Sequence, residues 1–254
     1  MNMNADCRGA LLMHETRIDT DAQPPVDRRS DPRADPTQRA HHDAIYTLAR
    51  AAELHDEDTG NHVVRIRLIV ERLARQIGFC ESDAEALGYD AMLHDVGKLT
   101  TPHDVLKKPG RLTDEERLVM ESHTSLGERL LSSRPSMRRA ARIARSHHEC
   151  WDGSGYPEAL RGEEIPLEAR ITAAADVLDA LVADRCYKES WSYRQALEEV
   201  CALGGGKLDP DVVAALRRCD EQGNLRDIFR PAAYLNDPAG SSDDCGPATD
   251  EGAA

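Results

Sequence analysis

Aromatic side chains are scarce: they make up 4% of the 254 residues, with two Trp and two Phe. Any core must therefore be aliphatic, built from Leu, Val, Ile and Ala. No apolar run reaches the roughly 18 residues that a membrane-spanning helix needs. The N-terminus lacks the basic start and apolar stretch of a secretory signal. Positive charge is also short, with 32 Lys and Arg against 46 Asp and Glu and a formal charge of -14. That balance argues against a duplex-binding surface, because neutralising many phosphates needs a basic face. The seven cysteines are odd in number, scattered, and never paired as C-x-x-C. They fit reduced thiols rather than a disulfide framework, and the expected location is the cytoplasm.

What the chain does contain is helical periodicity, bounded by two polar ends. Residues 1–40 interleave Asp and Arg with Pro and show no sustained period, so they are expected to form a flexible leader. The stretch 231–254 carries five acidic residues and no basic one and is expected to be a solvated, disordered tail. Between them, 41–230 reads as one all-α domain of about seven or eight helices. A first helix spans His42 to Leu54, with Ile45, Leu48, Ala49 and Ala52 on one face. Thr59 is placed as the cap of a second, which runs through Val63, Ile66, Ile69, Val70 and Leu73 and stops at Gly78. Ser82 is placed as the cap of a third, leading into His94-Asp95. Thr113-Asp114-Glu115-Glu116 reads as a capping box opening a helix through Leu118, Val119 and Met120 to Leu131. Ser133 with Pro135 starts the helix to His147. After a loop dense in Gly and Pro, helices open at Pro166, at Ser192 with Gln195, and at Pro210.

The candidate chemistry sits at His94-Asp95-Val96-Gly97-Lys98. Six further groups, Asp58, His62, His123, His147, His148 and Asp176, lie at helix ends or inside helices. Taken singly, each has a plainer reading as a cap, a surface acid or a core histidine. Asp176 resists it, because a carboxylate among Ala173, Ala174, Ala175, Val177 and Leu178 is costly unless paired or on a metal. Five of the ten histidines fall at these positions. Imidazoles and carboxylates without thiolate suit iron, manganese or zinc used for chemistry. The groups are too many for one ion with an open position, so one carboxylate, Asp95, is expected to bridge two. Water shared by two such ions loses a proton near neutral pH, and the ions can clamp a phosphodiester. Lys98, about one turn beyond His94, could place an ammonium beside the developing charge. The residues by themselves thus point to metal-dependent phosphodiester hydrolysis.

The blocks HDVGK, KKPGRLTDEE, HTSLGERLL, HHECWDGSGYPEALRGEEIP and ARITAAADVLDALVADRCYK together resemble the HD-GYP subgroup of the HD-superfamily phosphohydrolases, from about Leu48 to about Leu216. The resemblance implies that His62, His94, Asp95, His123, His147, His148 and Asp176 hold two metal ions, iron or manganese, with Asp95 shared. Asp58 matches a position where members with three metals carry Glu, and its shorter side chain leaves a third ion open. Lys98 is similar to the lysine that approaches the substrate phosphate. Tyr156, in Gly155-Tyr156-Pro157, belongs to the loop beside the substrate. Arg185 and Lys188 match cations that hold its phosphates. The implied reaction is hydrolysis of cyclic di-GMP to linear pGpG, in some members onward to GMP. A catalytically silent module that binds cyclic di-GMP or a partner, and a hydrolase of another cyclic dinucleotide or nucleotide, stay open beside it. So does a homodimer or a regulatory protein partner, since the first 40 residues offer no evident sensory device.

Overall fold

The computed structural model describes residues 36–56, 61–182 and 191–229. The expected cap Thr59 and the candidate residues Asp58, Arg185 and Lys188 lie outside the described residues, as do the expected tail and most of the expected leader. The described chain is helical, and its β pairing is one isolated bridge between Gly204 and Leu208. Ten α-helices follow in order: α1 (Pro36–His55), α2 (His62–Ile77), α3 (Glu81–Ala91), α4 (His103–Leu106), α5 (Asp114–Glu121), α6 (His123–Ser132), α7 (Arg138–Ser146), α8 (Leu167–Val182), α9 (Tyr193–Ala202) and α10 (Pro210–Glu221). They are the eight read from the sequence, with one divided into α5 and α6 and the four-residue α4 added.

The amphipathic α2 is the central strut. Ile66, Ile69, Val70 and Leu73 are fully buried, against residues of α3, α8, α9 and α10 in one apolar cluster. Each such side chain contributes roughly 1.5–3 kcal/mol of burial. Gly78, at φ 115°, ends α2 in the left-handed conformation that glycine adopts without cost, and its N–H caps Ala74 and Arg75. A second cluster joins Ile45 and Ala49 of α1 to Met92, Leu93 and Val96 after α3 and to Ala140, Ala141 and Ala144 of α7. Val63 beside His62, Leu93 beside His94 and Ala144 near His147 belong to this second cluster, and Ala175 beside Asp176 to the first.

Several expected boundaries move. The first helix starts at Pro36, ahead of His42; Pro is well placed in a first turn, and the exposed Thr37–Ala40 give no periodic signal. Cys80, not Ser82, is the cap position of α3. Pro135 opens a short 3-10 turn before α7, which begins at Arg138. The capping boxes at Thr113 and Ser192 form as expected. The apolar run of α5 does not enter the core: Leu118 is 64% and Val119 38% exposed. Consecutive residues point in different directions around a helix, and the main packing of α5 is on its neighbours α4 and α6.

Candidate metal centre

Three histidines are placed by a shared local device. His94 follows α3, His123 opens α6, and His147 follows α7. In each, Nδ1 meets the carbonyl three residues back: Ala91 at 2.9 Å, Met120 at 2.7 Å and Ala144 at 3.1 Å. A carbonyl can only accept, so Nδ1 carries a proton and Nε2 is the nitrogen left to face the centre. The same competition for carbonyls explains the break between α5 and α6. Ser122 Oγ donates to Val119 at 2.6 Å and Thr124 Oγ1 to Glu121 at 2.9 Å, flanking the His123 bond. Three successive carbonyls are thereby drawn toward side chains. Periodicity across 113–131 cannot reveal that interruption.

His62, at the start of α2, is held from a different source. Its Nδ1 lies 2.7 Å from Asp179 Oδ2, and Asp179 also accepts Arg65 Nε at 2.5 Å and Nη2 at 3.0 Å. Asp179 is fully buried. Burial alone would raise its pKa; the hydrogen bonds from His62 and Arg65 outweigh that and hold it below the usual carboxylate value. Sequence reasoning missed Asp179. The signal was available: it stands three residues after Asp176 on α8, one turn along the same face.

The free Nε2 atoms converge on Asp95. Asp95 Oδ1 is 3.3 Å from His123 Nε2 and 3.6 Å from His147 Nε2, while Asp95 Oδ2 is 3.4 Å from His94 Nε2. Asp176 Oδ1 lies 3.9 Å from His62 Nε2 and 4.0 Å from His94 Nε2. Two sets of donor atoms, each within 4.8 Å of one another, share Asp95: one with His62 and His94, the other with His123, His147 and His148. His94, His123 and His147 Nε2, together with Asp95 Oδ1, are buried and lack any hydrogen-bond partner. Buried polar atoms do not stay unpaired without reason. Four of them gathered about one carboxylate, with a backbone carbonyl behind each of the three rings, fit divalent cations. The structure therefore brings together seven of the eight expected ligands, and the eighth, Asp58, lies outside the described residues.

Electrostatics agree with a site built for cations. Burial opposes charge on His94, but Asp95 and Asp176 outweigh it and lift its pKa to about 9. Burial pulls His123 down to about 4, against the attraction of Asp95, and pushes His148 far down, with His147 adding to the effect. Burial would raise Asp95, yet Lys98 and His94 hold it well below the carboxylate range. Lys98 lies on the 3-10 turn Val96–Thr100, 2.7 Å from Asp95 Oδ2 and 2.9 Å from Asp56 Oδ2. Gly97 has a packing reason to be there: a Cβ would sit 1.9 Å from the His123 carbonyl oxygen and 2.7 Å from Gly127 N. Tyr156 lies with its ring stacked on His148, centroids 4.8 Å apart.

Residues 46–212 match the HD domain family. The chain belongs to the HD domain family. Its Gly155-Tyr156-Pro157 turn places it in the HD-GYP subgroup. Among curated relatives, a 3'3'-cGAMP-specific phosphodiesterase of Vibrio cholerae is 45% identical over 68% of this chain and 33% of its own length. The cyclic di-GMP phosphodiesterase response regulator RpfG of Xanthomonas campestris is 44% identical over 69% of this chain and 47% of its own. A cyclic di-GMP phosphodiesterase of Thermotoga maritima is 37% identical over 74% and 51%. The chain thus spans between a third and about half of these relatives. A crystal structure of a cyclic GMP-AMP specific phosphodiesterase of Vibrio cholerae shares the fold, with TM-score 0.59, 20% identity, and coverage of 76% of this chain and 51% of that one. No helix among the described residues is long and apolar enough to cross a membrane.

Proposed function

We propose that this HD-GYP chain is a metal-dependent phosphodiesterase that opens cyclic di-GMP to linear pGpG, with GMP as a further product. The observation that carries it is the convergence of unpartnered Nε2 atoms of His94, His123 and His147 on Asp95. His62, His94, Asp95, His123, His147, His148 and Asp176 would hold two ions, iron or manganese by the hard and borderline character of the donors. When bound, such ions supply an acidified water and positive charge for the phosphodiester oxygens.

The chain's own residues do the rest. The carbonyls behind His94, His123 and His147, and Asp179 behind His62, fix which ring nitrogen faces the centre. Asp95 and Asp56 hold the Lys98 ammonium at the edge of the centre, where it meets the non-bridging oxygens of a bound phosphate. Burial pushes the Tyr156 phenol up, with Asp95 and Glu121 adding to it, so it stays protonated and serves as a hydrogen-bond donor and apolar wall. Arg185 and Lys188 are assigned to the substrate phosphates, Arg suiting a bidentate contact and Lys a point charge. Asp58 is the ligand that a third ion would use.

A second substrate, 3'3'-cGAMP, is favoured by a specific observation: relatives named for the two cyclic dinucleotides are equally close, at 45% and 44% identity. The test is to purify the protein anaerobically, count its metals, and incubate it with cyclic di-GMP, 3'3'-cGAMP and a panel of other phosphoesters. Appearance of pGpG that vanishes in His94→Ala supports the primary reading. Cleavage of 3'3'-cGAMP alone transfers the activity to that substrate. Binding without turnover reduces the chain to a sensing module, and turnover of other phosphoesters alone removes cyclic dinucleotides from the reading. Two ions per chain, or a third lost in Asp58→Ala, settles the count.

A further inference from the structure

Four of the five clustered histidines are anchored through Nδ1: His62 by Asp179, and His94, His123 and His147 by backbone carbonyls. His148 is held by ring contacts instead. It lies against His147 with centroids 4.1 Å apart, edge-on to His123 at 5.1 Å, and stacked on Tyr156 at 4.8 Å with 25° between planes. Its orientation therefore depends on where the loop holds Tyr156.

That loop is tied down by Glu149, the residue after the histidine pair. Glu149 is 4% exposed. One carboxylate oxygen accepts the N–H of Glu158 at 2.7 Å and the other that of Leu160 at 3.0 Å. The clamp closes over Gly155-Tyr156-Pro157. Gly155 runs so close to the histidine segment that a Cβ would sit 2.3 Å from Cys150 N and 2.5 Å from the His148 carbonyl. Tyr156 N donates to that carbonyl at 3.3 Å. A carboxylate offers acceptors on both oxygens; an amide of the same size offers one, and turns an N–H2 toward the second backbone donor.

We propose that Glu149 is a positioning residue: by gripping the two N–H groups beyond Pro157 it presses Tyr156 onto His148 and fixes that imidazole for a cation. The inference rests on the reading of His148 as a metal ligand, and Glu149 itself touches neither cation nor substrate.

The experiment follows Mn2+ binding to the metal-free 254-residue chain, hydrogen exchange of peptides covering 155–162, and turnover of cyclic di-GMP. In Glu149→Gln, exchange of 155–162 is expected to accelerate while α2 and α8 keep their protection, and Mn2+ affinity to fall about 10-fold, at the low end of what orienting partners of ligands contribute. Tyr156→Ala should weaken Mn2+ by a similar factor. The double variant should be no weaker than either single, because both changes cut one chain of contacts. Additive losses, or unchanged exchange in Glu149→Gln, overturn the proposal. If Glu149→Gln does not fold, Glu149→Asp keeps both acceptors on a shorter arm and must show the same ordering to a smaller extent. His148→Ala with undiminished Mn2+ affinity overturns both the ligand reading and the clamp. Loss of cyclic dinucleotide turnover by the unaltered protein would sink only the substrate, since exchange and Mn2+ binding are read without it.

Discussion

Replacing Asp179 by Asn would show whether His62 takes its tautomer from the residue behind it. Asp179 is fully buried and accepts from both His62, at 2.7 Å, and Arg65, at 2.5 and 3.0 Å. Asn has the same shape and a single acceptor oxygen. Asp179 Oδ1 serves Arg65 Nε alone, while Oδ2 is shared by Arg65 Nη2 and His62; the single oxygen keeps the shorter bond, from Arg65 Nε, and the amide N–H2 takes the place of Oδ2 and faces His62. The imidazole then has to accept at Nδ1, and its proton moves to Nε2, the atom 3.9 Å from Asp176. A protonated Nε2 cannot bind a cation. Loss of such an orienting partner costs about 10–100-fold in metal affinity, or about 1.4–2.7 kcal/mol. The effect should be selective. The set of Asp95, His123, His147 and His148 does not depend on Asp179, because its His123 and His147 rest on backbone carbonyls. Titration of metal-free Asp179→Asn with Mn2+ should therefore show one weakened and one unchanged binding phase, with the circular dichroism of the unaltered protein. Equal weakening of both phases, or of neither, would refute the tautomer argument.

Other perturbations follow from the same geometry. Lys98→Gln removes the ammonium held between Asp95 and Asp56; steady-state kinetics with cyclic di-GMP should show kcat down about 10²-fold, with a smaller change in KM. Gly97→Ala puts a Cβ into the His123 carbonyl and should cost about 1–3 kcal/mol or more in urea unfolding, along with Mn2+ binding, since α6 must shift. Arg139→Ala strips the partner from Asp90, which sits 2.5 Å from Arg139 Nε and is 6% exposed. Burial already raises the pKa of Asp90 against the pull of Arg139. Urea unfolding at neutral pH should show about 1–3 kcal/mol of destabilisation, largely relieved in Asp90→Asn/Arg139→Ala. Exhaustive chelation should abolish turnover and lower Tm by removing ions that bind only the folded state, and Mn2+ should restore both.

How much of the centre could be read without coordinates depends on the kind of signal each residue leaves. The cluster of candidate donors was legible because imidazole and carboxylate are conspicuous at helix ends and inside an Ala-rich helix, and Asp176 is the clearest case. The helices were legible where the 3.6-residue period runs unbroken, as from Val63 to Leu73. The division at Ser122 was not, because it comes from side-chain hydroxyls and an imidazole bonding to the carbonyls of residues 119–121, and that competition leaves no mark on hydrophobic spacing. Leu118 and Val119 mark their helix as apolar, but apolarity does not say whether a partner helix lies opposite.

By itself, the amino-acid order determined the helical class, the caps at Thr113 and Ser192, the stop at Gly78, and which candidate donors the chain offers, because propensity, capping and metal preference are properties of residues and short spacings. Only the tertiary structure decided that Asp95 stands between two sets of donors, that Asp179 and Arg65 orient His62, and that Glu149 grips the loop carrying Tyr156. Those facts join positions as far apart as α2 and α8, and a direction in space between distant segments is fixed by packing rather than by any local pattern.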